Sequence, residues 1–127
     1  MSRHVLDSSA LLAWIHQETG EQIVADALAE SVISSVNLAE VVAKLADAGH
    51  DDAAVRWTLK RADVEVVPFS ADTAEASGRL RPITRSSGLS LGDRACLALS
   101  IELGLPALTA DRRWKHVRTT AKVELIR

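Results

Sequence analysis

The sequence has few of the residues from which cross-linked or aromatic-rich cores are built. It contains one cysteine, one phenylalanine, three tryptophans and no tyrosine. A single cysteine excludes an intramolecular disulfide and a cysteine-rich zinc site, so we expect Cys96 to be a small core residue. With so few aromatic side chains, the core must consist of Leu, Val, Ile and Ala. Such a composition favours helices packed closely on a sheet of β-branched residues.

An excess of positive charge is also missing. The sequence has 15 lysines and arginines against 17 acidic residues, which gives a net charge of −2. We therefore do not expect non-specific binding of nucleic acid through overall positive charge. No run approaches the roughly 18 apolar residues of a membrane span. Asp7, Ser8 and Ser9 interrupt the fairly apolar segment 5–15, which argues against a signal peptide. We therefore expect a cytoplasmic protein without membrane attachment.

Short apolar runs alternate along the chain with helical patterns. The runs at 4–6, 31–34, 64–67, 107–109 and 123–126 predict short strands, and the segments between them predict helices. Helix starts are expected at Ser8 or Ser9 and at Ser35, and a loop is expected over 82–88. This order predicts an α/β domain, a three-layer α/β/α sandwich on a mainly parallel sheet of four to five short strands. A length of 127 residues predicts a single domain over residues 1–127.

One predicted helix is unusual because it is apolar nearly all round. It begins after Ser90, and its apolar positions cover most of its circumference, which is typical of a helix buried between layers. Asp93, three residues after Ser90, is then a carboxylate at the end of an interior helix, where an unpaired charge is costly. Either Asp93 closes a capping box with Ser90 or a cation neutralises it.

Other acidic residues follow predicted strands. Asp7 comes directly after the first strand and Asp111 just after the fourth, and ligands of open α/β sheets bind at that carboxyl edge. Glu40 lies one turn into the helix that follows the second strand. Whether the helix carrying Asp93 begins at the same edge is left open by the sequence.

Each acidic residue also has a purely structural interpretation. Asp93 can be a cap, Glu40 a solvated helix charge and Asp111 a turn residue, whereas Asp7 is hardest to dismiss because it ends an apolar run. If the four converge, each pair about 4 Å apart repels by about 4 kcal/mol at an effective dielectric constant of 20. Raised pKa values or a bound cation would relieve this repulsion. Oxygen ligands alone favour Mg²⁺ or Mn²⁺, ions suited to phosphodiester hydrolysis.

The order Asp, Glu, Asp, Asp recurs in a known family. Segments 5–13, 33–41, 89–99 and 108–114 together resemble PIN-domain proteins, and most closely the VapC-type ribonuclease toxins of bacterial toxin–antitoxin modules. Each segment is a weak motif alone, but four in order over 127 residues are specific. The resemblance implies a PIN-like sandwich and an endoribonuclease that hydrolyses RNA with Mg²⁺ or Mn²⁺.

The resemblance also implies roles for individual residues. The four acidic residues would form the catalytic and metal-binding pocket, with the ion chiefly on Asp7 and Asp93, and with Glu40 and Asp111 as further ligands. The hydroxyl groups of two residues would support the site: Ser9 and Thr109. Four basic residues are expected to bind RNA phosphates, although a solvated face explains them equally well: Arg85, Arg112, Arg113 and Lys115.

Partners are implied as well. VapC-type toxins form homodimers and are neutralised by a small antitoxin, whose C-terminal segment covers the pocket and often brings an arginine to the carboxylates. The groove for it would be lined by Leu11, Leu12, Trp14 and Ile15, although Trp14 can equally be a core residue. Two other functions stay open: a PIN nuclease outside a toxin–antitoxin pair, acting in RNA processing or on DNA, and a non-catalytic domain whose pocket receives a partner's arginine.

Overall fold

A computed structural model describes residues 3–127 of the chain. Five strands form one sheet: β1 (His4–Leu6), β2 (Ser31–Ser34), β3 (Glu65–Val67), β4 (Ala107–Thr109) and β5 (Val123–Leu125). Seven α-helices connect them: α1 (Ser8–Ile15), α2 (Glu21–Ala27), α3 (Ser35–Asp47), α4 (Asp52–Ala62), α5 (Ala71–Arg79), α6 (Arg81–Thr84) and α7 (Leu91–Leu103). Three 3₁₀ segments complete the described chain: Leu28–Glu30, Arg85–Ser87 and Arg112–His116.

The sheet is parallel throughout, with the strand order β3-β2-β1-β4-β5. Strand β1 is the central strand, and its neighbours are β2 and β4. Because parallel strands end at the same edge, the segments that follow β1, β2 and β4 meet on one side of the molecule. This confirms the predicted mainly parallel α/β sheet.

Alternate residues of the central strands enter two separate cores. Leu6, Ile33 and Leu108 pack on one face with side chains of α1, α2, α3 and α4. Val5 and Val32 point to the other face, where α7 and Trp114 cover them. Successive strand side chains point to opposite faces, so a sheet covered on both sides needs apolar residues at both. The result is the predicted three-layer α/β/α sandwich.

Helix α7 is buried in its middle rather than along its whole length. Its residues from Ala95 to Ser100 are buried, and Cys96 is fully enclosed, as expected. Leu91 and Leu103 near its two ends are about half exposed. Among the described residues, no helix is long and apolar enough to cross a bilayer.

Some local predictions were wrong. Asp7, not Ser8 or Ser9, is the N-cap of α1, because both hydroxyl groups bond elsewhere. Ser34, not Ser35, caps α3, and its side chain accepts a hydrogen bond from Val36 N. The segment 82–88, predicted as a loop, contains the end of α6 and a 3₁₀ turn. Pro82 was the misleading signal, since proline is well tolerated in the first turn of a helix.

Candidate functional site

Asp7 is the buried centre of the site. It follows β1, and its side chain is only 2% exposed. Its backbone N–H donates to Leu108 O at 2.9 Å, which fixes the residue against the end of β4. Its Oδ1 atom has no hydrogen-bond partner among the described residues. A carboxylate oxygen buried without a donor is costly, so this atom marks a place for a ligand.

Two hydroxyl groups hold the other oxygen of Asp7. Ser9 Oγ donates to Asp7 Oδ2 at 2.5 Å, and Thr109 Oγ1 donates to the same atom at 2.8 Å. Both groups also accept backbone N–H bonds, from Ala110 at 2.9 Å and from Asp111 at 3.0 Å. The structure therefore brings Ser9 and Thr109 to Asp7, where they orient its carboxyl group.

The ionised form of Asp7 is disfavoured. Burial raises its pKa from 3.8 to about 6, the hydrogen bonds from Ser9 and Thr109 oppose this rise, and the negative charges of Asp93 and Glu40 add to it. The electrostatic effect of Asp93 and Glu40 on Asp7 means that these three carboxyl groups share one region of the protein. Their mutual repulsion is one of the effects that raise the pKa of Asp7.

Glu40 is held by neighbours that the sequence interpretation did not identify. Ser8 Oγ and Asn37 Nδ2 both donate to its Oε1 atom, at 3.0 Å and 2.9 Å. Asn37 Nδ2 also donates to Gly92 O at 3.0 Å. Asn37 precedes Glu40 by one helical turn and lies on the buried face with Val41, a spacing that could have identified it.

The approach of Glu40 to α7 requires a glycine. A Cβ atom at position 92 would stand 2.5 Å from Glu40 Oε1, and closer still to other atoms of that carboxyl group. Gly92 therefore leaves the space in which the Glu40 carboxylate lies against the first turn of α7.

Asp93 closes the predicted capping box, and a cationic side chain also lies near it. It forms a capping box with Ser90, in which Ser90 N donates to Asp93 Oδ2 at 2.8 Å and Ser90 Oγ accepts from Asp93 N at 3.2 Å. The same Oδ2 atom lies 3.8 Å from Arg113 Nη2. The first turn of α7 thus begins at the carboxyl edge, which the sequence left open.

Asp111 forms the strongest ion pair of the site. It is the N-cap of the 3₁₀ segment Arg112–His116, and its side chain accepts from Arg113 N. Arg113 Nη2 lies 2.6 Å from Asp111 Oδ2, and Arg113 Nε donates to both oxygens at 3.0 and 3.1 Å. These hydrogen bonds hold the pKa of Asp111 below 3.8.

The four carboxylates are not arranged as a finished metal site. In the described range 3–127, no three His, Cys, Asp or Glu side chains are positioned to hold one ion. The contacts give the reason, because Glu40 is bonded to Ser8 and Asn37, Asp93 caps its own helix, and Asp111 is paired with Arg113. The donor set nevertheless suits a hard cation, since all four side chains offer oxygen and Asp7 keeps one oxygen unbonded.

The other basic residues lie outside this cluster. Arg85, Arg112 and Lys115 are exposed, and Arg112 Nη1 donates to Arg127 O at 3.1 Å. Among the ion pairs of residues 3–127, only Arg113 joins carboxylates of the site. Trp14 is half-buried against the core, and Arg61 stacks 5.5 Å from its ring centroid.

A recess of about 330 Å³ opens next to Ser8 and Ser9. Ser8 and Ser9 form its border with the site, and its remaining walls include both apolar and charged side chains. These are Leu12, His16, Glu18, Lys44 and Arg127. The recess gives an extended ligand room to lie next to Ser8 and Ser9, whose hydroxyl groups bond Glu40 and Asp7.

The family model of the PIN domain matches residues 4–119 of this chain. Comparison with curated proteins gives no significant match.

Several solved structures share this fold, and three of them are described as toxins or toxin–antitoxin complexes. VapBC2 of Rickettsia felis, bound to a promoter DNA fragment, aligns with a TM-score of 0.75 and 18% identity over 96% of this chain and 97% of that one. VapC20 of Mycobacterium tuberculosis, a toxin that cleaves the sarcin–ricin loop, gives 0.70 and 18% over 88% and 92%. VapBC-5 of M. tuberculosis, a member of the VapBC family of toxin–antitoxin systems, gives 0.66 and 28% over 100% and 99%.

The raised pKa of Asp7 predicts that Asp7→Asn stabilises the metal-free protein at neutral pH. A carboxyl group whose pKa is raised by folding supports the fold below pH 3.8 and loses that contribution as pH rises through about 6. Urea unfolding in EDTA should show a gain of about 2–3 kcal/mol at pH 7.5 and almost none at pH 4. The exposed Asp47→Asn is the control. An equal gain at both pH values would contradict the assignment.

Because the Glu40 carboxylate lies so close to Gly92, we predict that Gly92→Ala will not stabilise the protein as Gly→Ala normally does inside a helix. Gly78→Ala in α5 meets open space and should stabilise the protein by about 0.5–1 kcal/mol. Gly92→Ala should give no gain, because the new methyl group displaces the Glu40 carboxylate from Ser8 and Asn37. In a Glu40→Ala background the same substitution should become stabilising. Thermal unfolding measures all three effects, and equal gains at positions 78 and 92 in the otherwise unchanged chain would refute the contact.

Proposed function

Because the chain belongs to the PIN domain family, whose model covers residues 4–119, we propose that it is a Mg²⁺- or Mn²⁺-dependent endoribonuclease. It acts as the toxin of a toxin–antitoxin pair and hydrolyses RNA phosphodiester bonds. Residues 1–127 would form one catalytic domain.

The observation that carries the proposal is the unbonded Oδ1 atom of Asp7. It is buried, it belongs to a carboxyl group whose pKa is raised to about 6, and the charges of Asp93 and Glu40 act on it. A divalent cation would relieve this repulsion and satisfy the free oxygen together. Asp7 and Asp93 would hold the ion chiefly, with Glu40 and Asp111 as further ligands.

When bound, Mg²⁺ or Mn²⁺ lowers the pKa of coordinated water and screens the charge of the phosphate under attack. The protein's own part is to fix the geometry. Ser9 and Thr109 aim the carboxyl group of Asp7, and Ser8 and Asn37 hold Glu40 against α7. Side chains locked by such hydrogen bonds keep a site near its productive geometry.

RNA is proposed to lie across the rim of this edge. Arg85, Arg112 and Lys115 are exposed and would supply the phosphate contacts, and the recess beside Ser8 and Ser9 would offer room for the strand. With a net charge of −2, binding would depend on these local cations rather than on the overall charge.

The central test is cleavage of RNA by the purified protein. Cleavage should require Mg²⁺ or Mn²⁺, and Asp7→Asn or Asp93→Asn should reduce it by about a hundredfold or more. Asp93→Asn should keep the fold, because an asparagine oxygen can still accept the Ser90 N–H bond. Asp47→Asn, an exposed change on α3, should keep full activity. Undiminished cleavage in EDTA would contradict the proposal.

A small antitoxin and a homodimer complete the proposed assembly. The support for the antitoxin is likeness to the VapBC systems, including VapBC-5 at 28% identity over 100% of this chain. The expected groove lies on α1, where Leu12, Trp14 and Ile15 are half-buried. Leu11, which was also expected to line it, is 1% exposed and belongs to the core, so that part of the prediction was wrong. For the homodimer, exposed apolar side chains on α6 and α7 are available for burial: Ile83, Leu91, Ile101 and Leu103.

Toxin–antitoxin pairing predicts a short reading frame directly next to this one. Its product should co-purify with the chain when both are expressed, and it should suppress RNA cleavage. Active nuclease with no such neighbour would favour a PIN nuclease of RNA processing or of DNA. Failure of the free protein to bind divalent metal by calorimetry would favour the non-catalytic, partner-binding alternative.

A further inference from the structure

Arg113 contacts two carboxylates of the acidic cluster, those of Asp111 and Asp93. We infer that it is an internal counter-ion which competes with the divalent metal, releases Asp111 when the metal binds, and so sets the metal affinity. The inference rests on the proposed function and goes beyond the phosphate contact expected of Arg113 from the sequence.

The contacts of Arg113 show how fully it engages Asp111. Its Nε and Nη2 atoms bond both carboxylate oxygens, while its own backbone N–H donates to Asp111 Oδ1 at 3.0 Å. On its far side, Nη1 donates to Gly88 O at 3.0 Å. With these bonds in place, the Asp111 oxygens point at the guanidinium and are not free to hold a second cation.

The same guanidinium spans two carboxylates. Nη2 lies 2.6 Å from Asp111 and 3.8 Å from Asp93. The hydrogen bonds to Asp111 raise the pKa of Arg113, and the charges of Asp111, Asp93 and Asp7 add to this rise. The guanidinium of Arg113, a monovalent cation, therefore partly neutralises the negative charge of the carboxylates that a divalent ion would also neutralise. Both cations favour the same electrostatic minimum, so binding of one weakens binding of the other.

Arg113 is able to leave without unfolding its surroundings. Its side chain is 54% exposed, whereas the side chains of Asp93 and Asp111 are 13% and 20% exposed. Exposed arginine pairs are weak and flexible compared with buried ones. Rotation of one side chain would free Asp111 and leave the guanidinium at the rim, where its planar fork suits a phosphate group.

Release of Arg113 links the two ligands. Metal bound at Asp93 and Asp111 frees Arg113 for an RNA phosphate, and a phosphate that holds Arg113 frees Asp111 for the metal. Because such coupling is reciprocal, each ligand strengthens the binding of the other by the same factor. Arg113 is therefore a positioning residue whose effect reaches the metal through Asp111.

Calorimetric titration of Mn²⁺, without RNA, tests the competition directly. Arg113→Gln should bind Mn²⁺ about fivefold more tightly than the unchanged chain, since an exposed ion pair no longer has to be broken. Arg112→Gln is the matched control, because it removes the neighbouring charge, which bonds Arg127 O instead. Its Mn²⁺ affinity should stay within about twofold. A purely structural role of Arg113 would lower the affinity or leave it unchanged.

A second measurement uses the unchanged chain. The Nε–Hε resonance of Arg113 should move to the position of a solvent-exposed arginine as Mg²⁺ is added. A 2′-O-methyl oligoribonucleotide should bind more tightly with Mg²⁺ present, and Arg113→Gln should lose most of that gain.

The outcomes separate the inference from the proposed function. Equal Mn²⁺ affinities in the unchanged chain and Arg113→Gln, or an Arg113 resonance unmoved by bound Mg²⁺, would overturn the inference alone. Absence of divalent binding in every variant would overturn the proposed function, and the inference with it.

Discussion

Repulsion among carboxylates at one sheet edge is the constraint on which the site depends. Asp7 is 2% exposed, and the charges of Asp93 and Glu40 act on it from neighbouring elements. Three of the four acidic residues stand at helix starts, since Asp7 and Asp111 are N-caps and Asp93 lies in the first turn of α7. The carboxylates of Asp93 and Asp111 accept hydrogen bonds from backbone N–H groups there, whereas the Asp7 side chain accepts none from the described backbone. The fold thus supports charges that it also forces together.

This arrangement destabilises the metal-free fold, and a ligand bound at the site would offset that loss of stability. A buried oxygen without a donor, a pKa raised to about 6 and a glycine kept free for Glu40 all oppose stability. Functional sites are where proteins break local rules of stability. Arg113 reduces the cost from the exposed side through Asp111 and Asp93, but Asp7 keeps its free oxygen.

Much of the fold and the placement of the acidic residues could be predicted from the sequence. Apolar runs followed by Asp7 and Asp111 indicated strands ending at one edge, and Ser90 with Asp93 indicated the capping box that the structure contains. The sequence could not predict that the N-terminus of α7 lies at the carboxyl edge of the sheet, because this depends on the direction in which the helix crosses the sheet. The contacts of Asn37 with Gly92 O and of Glu40 with Gly92 join α3 to α7, and local sequence patterns do not encode contacts between residues so far apart in the chain. Arg113 pairs with Asp111, which lies only two positions earlier in the sequence. A run of basic residues does not by itself show which of its side chains pairs with a nearby carboxylate.

Binding of a divalent cation at this edge is tested most directly by Mn²⁺ soaked into crystals of the protein, with data collected at a wavelength where manganese scatters anomalously. An anomalous peak is expected between the carboxylates of Asp7 and Asp93, with the Arg113 guanidinium moved away from Asp111. A map without a peak at this edge at saturating Mn²⁺, with Arg113 still paired to Asp111, would contradict it.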